Sequence, residues 1–353
     1  MQTILNQLKI KATVVDIKSN GTISKYYLSL HPGAKVSRIE NCATEIALGL
    51  KAYSKPIIRT ITEKGLVCVE LLTNPSKMVR FSELVDGLAN KGQNIDLPLA
   101  LGRTHDGEDL VADLSIMPHL LIAGTTGSGK SILLHSILNS LMLVRPQVKL
   151  ALIDPKKVEF SYYSDIEHLL YPVITEAEDA LEALSDLVDE MENRFRSMSK
   201  ASVNTISDFN RKKPSRAMPY IVLVIDEFSD LMHSSKKIFQ KKLCMLAQKS
   251  RACGIHIVMA TQRPSVDVVT GLVKANFPAR ISCHVSSLAD SRVVLGCSGA
   301  EKLLGKGDAL INSVGYDMVR FQGSFLETDE IKLLCEQHER GRLSKIWNYI
   351  RGV

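Results

Sequence analysis

His119-Leu120-Leu121-Ile122-Ala123-Gly124-Thr125-Thr126-Gly127-Ser128-Gly129-Lys130-Ser131 decides how the rest of the chain is read. An apolar run ends in Gly124, and apolar residues at helical spacing follow Ser131. Between them lies G-x-x-x-x-G-K-S, in the strand-to-helix setting that the phosphate-binding P-loop requires. Gly124, Gly127 and Gly129 free the backbone to curl into a nest of N–H groups facing an anion. Thr125, Thr126 and Ser128 fill the positions between them. The helix opening at Lys130 adds the positive end of its dipole. Lys130 is placed to reach terminal phosphates, and the Ser131 hydroxyl is placed to ligate Mg²⁺. The stretch therefore predicts a site for a nucleoside triphosphate.

The chain has 353 residues, enough for about two domains, each with a buried core. Its 45% hydrophobic and 23% charged residues are an ordinary water-exposed profile. No apolar run reaches the ~18 residues of a membrane span, and no signal-peptide pattern opens the chain. Any membrane attachment is expected from a partner or from a segment not in this chain. The seven scattered cysteines form no C-x-x-C pair. They predict a reducing, cytoplasmic compartment and no zinc site. Of the net charge of +6, residues 1–100 supply +5, from thirteen Lys/Arg against eight Asp/Glu. A mildly basic balance is compatible with a polyanion partner without identifying one.

Residues 1–100 predict a small α+β domain. Ala12–Asp16 and Thr22–Leu30 read as strands joined at Asn20-Gly21, a strong hairpin signal. Val36–Leu50 reads as a helix. Pro56–Ile61 and Leu66–Leu72 read as a second hairpin through Lys64-Gly65. Pro98 to Glu108, rich in Gly and polar residues, is the expected junction. Residues 101–353 alternate strands with helices, the mark of an α/β domain with a mainly parallel sheet. Its short, nearly apolar strands are Leu120–Ala123, Lys149–Ile153, Tyr220–Ile225, His256–Ala260 and Arg280–Val285. A long helix is expected from Thr175, with Glu178 completing a capping box. Its stripe of Leu181, Leu184, Val188, Met191, Phe195 and Met198 predicts a core-facing side.

Ile221-Val222-Leu223-Val224-Ile225-Asp226-Glu227 places two carboxylates at the end of a buried strand. After a P-loop, Asp226 is expected to hold Mg²⁺ through water. Glu227 is expected to polarise an attacking water as general base. The spacing allows the two strands to be neighbours in one sheet. Kinases and small GTPases usually lack the adjacent Glu. A guanine-reading N-K-x-D motif is also missing, because Asn90-Lys91-Gly92-Gln93 lacks the Asp and precedes the P-loop. Gln262 follows the next strand and can donate or accept hydrogen bonds, which suits either a γ-phosphate sensor or a simple turn. Arg251, in the last turn of a helix read over Lys241 to Gly254, has two readings. It offsets the helix dipole, or it reaches a neighbouring subunit's nucleotide.

These residues carry a resemblance to the FtsK/SpoIIIE family of double-stranded DNA translocases. Met117 through Ser131 resembles its first motif nearly letter for letter. Ile153-Asp154-Pro155-Lys156, Tyr220 to Leu231 and Leu246 to His256 extend the likeness, as do Ser286-Ser287, Asp290-Ser291-Arg292 and Leu303 to Asp308. Ala260-Thr261-Gln262-Arg263-Pro264-Ser265-Val266-Asp267-Val268-Val269-Thr270-Gly271-Leu272-Val273-Lys274-Ala275-Asn276 is its most specific part. Residues 1–100 resemble the family's α domain more loosely.

The resemblance implies a RecA-like motor, assembled as a homo-hexameric ring around duplex DNA and driven by Mg·ATP. It implies that Arg251 acts in trans as an arginine finger. It also implies that Arg263, Lys274 and Arg292 lie in DNA-contacting segments, although on their own they read as surface charge. Two departures stand out: Leu288 occupies a position where the family usually has Lys, and the loop around Arg211–Pro214 is shorter than usual. Nothing in residues 1–100 resembles the family's membrane anchor, and the stretch after 330 is shorter than its winged-helix module, so a fragment and a stand-alone motor are both open. Two rival readings are a protein-translocating ATPase of a secretion system, which shares the fold, and a nucleotide-gated scaffold that does not hydrolyse. Intact Lys130, Asp226 and Glu227 speak against the scaffold.

Overall fold

The computed structural model describes residues 1–19, 23–72, 78–104, 106–313 and 316–339. The chain opens with α1 (Gln2–Gln7), β1 (Ala12–Ser19), β2 (Ile23–Leu30), α2 (Val36–Asn41) and α3 (Ala43–Gly49). Next come β3 (Ile57–Ile61) and β4 (Leu66–Leu72). These four strands form an antiparallel sheet in the order β1-β2-β4-β3. Both expected hairpins are there, and the Asn20-Gly21 turn lies outside the described residues. The single helix expected over Val36–Leu50 is instead two, because Cys42 leaves the helical well at φ −97°, ψ 18°. Ile39 and Ile46, one from each helix, both reach a core shared with Leu28, Val67 and Val69.

The following residues build a larger sheet. Its first elements are β5 (Val79–Arg80), α4 (Phe81–Gly92), β6 (Pro98–Thr104), β7 (Asp109–Asp113), β8 (His119–Ala123), α5 (Lys130–Val144) and β9 (Lys149–Ile153). After these come α6 (Ala177–Lys200), α7 (Ile206–Lys212), β10 (Ile221–Ile225), α8 (Phe228–Lys249), β11 (Ile255–Thr261), α9 (Gly271–Asn276) and β12 (Ala279–Cys283). The series closes with α10 (Leu288–Leu295), β13 (Asp308–Ser313), β14 (Tyr316–Phe325) and α11 (Thr328–Glu339). The strand order is β7-β6-β14-β13-β12-β8-β11-β10-β9, with β5 beside β14. The run β12-β8-β11-β10-β9 is parallel. It is covered on one face by α4, α5 and α11 and on the other by α6 and α8.

All five expected parallel strands are present, with ends displaced by one or two residues at most. The spacing that allowed β8 and β10 to be neighbours is used differently: β11 lies between them and pairs with both. Every residue of β11 is buried, and an interior slot leaves neither of its edges unpaired.

Pro98–Glu108 is not a junction. It contributes β6, which is fastened to α5: the Ser136 hydroxyl donates to the Ala100 carbonyl at 2.6 Å, and the Ala100 amide donates to Ser140 Oγ at 3.0 Å. Gly102 sits at a bulge in β6 with φ +152°, where a Cβ would stand 2.0 Å from the Gln322 carbonyl oxygen.

The long helix starts at Ala177, not Thr175, and has no capping box. The Thr175 hydroxyl turns to Glu176, which Lys157 also holds. Its apolar stripe packs toward α8, with Leu184, Met191 and Met198 fully buried. α8 itself begins at Phe228, well before the expected Lys241. It ends in one 3₁₀ turn, Ser250–Cys253, stopped by Gly254 in the left-handed region at φ +75°.

The two sheets meet along a seam. Ile57 joins a cluster with Ala123, Val285 and Leu310. The Lys302 ammonium donates to the Pro56 carbonyl at 3.1 Å, and the Arg59 guanidinium donates to the Met318 carbonyl.

Candidate active site

β8 delivers Gly124 to the C-terminal edge of the parallel sheet, where the Thr125 amide donates to the His284 carbonyl at 2.9 Å. The loop then turns through Gly127 at φ +78° and Gly129 at φ +101°, and α5 begins at Lys130. Gly129 is required twice over: by its left-handed φ, and because a Cβ there would meet the Gly307 nitrogen at 2.5 Å. That second glycine belongs to a loop lying across the first. The Lys306 and Gly307 amides donate to the Gly127 and Ser128 carbonyls at 3.2 and 2.8 Å. Together the loops frame a cavity of about 580 Å³ lined by Thr125, Thr126, Lys130, Ser131, Gln262 and Lys306, with Ile132, Leu304 and Phe325 as its apolar wall. The volume suits a small organic ligand with a charged end.

Lys130 is 3% exposed. Its ammonium donates to Asp226 Oδ1 at 2.6 Å and to the Asp226 carbonyl at 3.0 Å. Burial raises the Asp226 pKa above its usual value, and Lys130 offsets part of that rise. Asp226 Oδ2 is buried without a hydrogen-bond partner. An orphaned carboxylate oxygen together with the Ser131 hydroxyl is a hard-oxygen donor set that fits Mg²⁺. The Ser131 hydroxyl donates to Glu159 Oε1 at 2.5 Å.

Glu227 is 1% exposed and fully occupied. Its Oε1 accepts from the Ser229 and Thr261 hydroxyls, each at 2.7 Å. Its Oε2 accepts from the Gln262 amide at 2.9 Å and faces the Lys156 ammonium at 3.3 Å. Burial pushes this carboxyl's pKa up, but the Ser229 and Thr261 hydroxyls and the Gln262 amide outweigh it and hold the group below the usual carboxylate range. The Gln262 side-chain oxygen accepts from the Thr126 hydroxyl at 3.4 Å and from Lys156 at 3.5 Å. The interior position of β11 thus brings Gln262 between the P-loop and Glu227, which direct pairing of β8 with β10 would have prevented.

A model of the FtsK/SpoIIIE family matches residues 82–266, and one of the FtsK alpha domain matches residues 1–72. The chain belongs to the FtsK/SpoIIIE family. Among curated relatives, the DNA translocase FtsK of Borreliella burgdorferi is 43% identical over 345 residues, covering 96% of this chain and 44% of the relative. The DNA translocase FtsK of Haemophilus influenzae is 40% identical over 379 residues, covering 99% of this chain and 71% of the relative. This chain thus spans less than half the length of the Borreliella protein. Among solved structures, the monomer form of the pCW3 conjugation coupling protein TcpA with ATPγS superposes with a TM-score of 0.71 at 24% identity, over 96% of this chain and 98% of that one. The fold is that of P-loop ATPase motors.

In this FtsK/SpoIIIE-family chain, Lys130, Ser131, Asp226, Glu227 and Gln262 converge on one cavity edge. Arg251 does not join them. It is exposed in the 3₁₀ turn before β11, whereas Gln262 follows that strand's last residue. A seven-residue strand separates the two by about 20 Å at ~3.3 Å per residue. Arg251 therefore cannot reach the cavity of its own chain. Arg263, exposed, follows β11; Lys274, half-buried, lies on α9; and Arg292, exposed, lies on α10. They occupy three separate elements rather than one cluster, and Leu288 is exposed at the start of α10. Sequence reasoning missed Glu159 and noted Lys156 only within a family likeness, because neither belongs to a nucleotide motif and both act from the segment after β9. It noted Leu303 to Asp308 only as a likeness, and the left-handed Gly305 and Gly307 were the available signal for a loop packed against backbone.

Proposed function

We propose that this chain is an ATP-driven double-stranded DNA translocase that works as a homo-hexameric ring. One observation carries the reading: Lys130 with Asp226, and Glu227 with Gln262, are brought together beyond the C-terminal ends of adjoining parallel strands around one cavity. The backbone of Gly124, Thr125, Thr126, Gly127, Ser128 and Gly129 holds the phosphates, and Lys130 moves from Asp226 onto the terminal ones. Ser131 and Asp226 would hold Mg²⁺, whose charge offsets that of the phosphate oxygens. Glu227, kept ionised by its donors, orients the attacking water. Gln262 reports loss of the terminal phosphate to Arg263 and the segment behind it. Arg251 completes the site of the adjacent subunit, a contribution typically worth ~10³–10⁵ in rate.

Arg263, Lys274 and Arg292 grip the DNA backbone, so binding is nearly indifferent to sequence and falls steeply with salt. Residues 1–72 form a separate α+β unit, and the motor begins near Val79. No helix among the described residues is long and apolar enough to cross a membrane; on this reading the motor works on the cytoplasmic side, with any tether coming from another segment or partner. The test is steady-state ATP hydrolysis with and without linear duplex DNA, at rising salt. Hydrolysis that duplex DNA fails to stimulate would favour the protein-translocating alternative, which shares this fold with the type VII secretion ATPase EccC of Thermomonospora curvata (TM-score 0.65, 25% identity, over 74% of this chain and 34% of that one).

A further inference from the structure

Glu159 belongs to no motif, yet it receives the hydroxyl of the residue on which cation binding depends. Asp154 shapes the segment that carries it, accepting the Lys156 amide at 3.2 Å and the Phe160 amide at 3.0 Å. Ser131, His135 and Asn139 follow at steps of four along one face of α5. Behind Glu159, Asn139 Nδ2 donates to the Tyr163 hydroxyl at 3.2 Å, and that hydroxyl lies 2.9 Å from His135 Nδ1. His135 Nε2 stands 3.5 Å from Glu159 Oε2, and the imidazole stacks on Tyr163 at 5.7 Å.

The Glu159 carboxylate is approached from two sides: with a proton on His135 Nε2 the imidazole faces Oε2, and the Ser131 hydroxyl donates to Oε1. The Ser131 proton is then turned away from the phosphate cradle and its lone pairs are free.

We infer that Glu159 is a positioning residue that fixes the Ser131 hydroxyl as a pure acceptor toward Mg²⁺, with the buried His135–Tyr163–Asn139 column holding Glu159 in place. The inference rests on reading this cavity as a Mg²⁺–nucleotide site. A freely rotating hydroxyl presents its proton to a cation part of the time, whereas a fixed one is a constant and more basic ligand.

The test is anisotropy titration of a fluorescent ADP analogue, in EDTA and across Mg²⁺ concentrations. Glu159→Ala is expected to raise the Mg²⁺ needed for half-maximal tightening about tenfold, while affinity in EDTA stays at the parent value. Glu159→Gln still accepts from Ser131, keeps the side-chain volume and recovers part of the loss. In a Ser131→Ala background, Glu159→Ala should change nothing further. Equal losses in EDTA and in Mg²⁺, or additive effects of the two substitutions, would overturn the inference. A parent chain that binds no nucleotide sinks the functional reading above and this inference with it. A parent that responds to Mg²⁺ while both Glu159 variants respond identically sinks this inference alone.

Discussion

Arg320 clasps Asp308 with two parallel hydrogen bonds, Nε to Oδ1 at 2.9 Å and Nη2 to Oδ2 at 2.7 Å, and both side chains are 1% exposed. The third nitrogen of the same guanidinium faces Glu70 of β4 at 3.4 Å, across the seam between the two sheets. Asp308 also accepts the Leu304 amide at 2.9 Å, so the clasp holds the loop that crosses the P-loop. Breaking one side of such a pair strands a buried charge. Arg320→Ala should cost roughly 3–5 kcal/mol in denaturant unfolding. Arg320→Met with Asp308→Leu should recover much of that, whereas an unchanged midpoint for Arg320→Ala would refute the assignment.

Thr261 sets the acidity of Glu227. Its hydroxyl donates to the carboxylate and accepts the Arg263 amide at 3.0 Å. Thr261→Val keeps the shape and removes the donor, so the Glu227 pKa rises. The acid limb of the pH–rate profile should move to higher pH, because one bond to the charged form is lost. A limb that stays put would mean that another group titrates there.

Arg251 faces away from its own cavity, so mixing experiments discriminate sharply. Arg251→Ala subunits alone and Lys130→Ala subunits alone should each be nearly inactive, and mixing the two should recover ATP hydrolysis, because a Lys130→Ala subunit still offers Arg251 to a neighbour's intact cavity. A mixture as inactive as either variant alone would show that the side chain serves no neighbour.

Buried histidines predict a loss of stability in mild acid. His119 is fully buried and held neutral with a pKa of about 3, chiefly by burial. His256, 1% exposed, is held at about 4 for the same reason while its ring nitrogen contacts the Pro118 carbonyl at 3.0 Å. Because the folded values lie below the unfolded value near 6.5, the unfolded chain binds more protons between pH 6.5 and 4. Stability is therefore complete above pH 6.5 and falls as pH drops through that window, by about 2 kcal/mol per histidine at pH 5. Urea unfolding from pH 7.5 to 5 measures the slope. His256→Phe should flatten it by one histidine's share, and a slope independent of that substitution would count against the account.

Strand positions, the P-loop and the Asp226-Glu227 pair were legible because each is written locally, in apolar runs and fixed spacings. That β11 also separates β8 from β10 was not, since it depends on how three crossovers pack. Pro98–Glu108 misled for a related reason. Gly102 looks like loop punctuation but is required by the close Gln322 backbone, and the serines that fasten β6 lie about forty residues away on α5. The roles of Lys156 and Glu159 were not legible because their partners, Glu227 and Ser131, are distant in sequence and no periodicity joins them.

β11 is bonded along both edges and sheathed in apolar side chains above and below, so it has no room to buckle. Its two tips, Arg251 on one side and Gln262 on the other, behave as the ends of a strut. In the ring proposed above, a displacement made where one phosphate departs would be carried along this stiff strand toward the neighbouring subunit's site, and firing order would become a matter of mechanics in series.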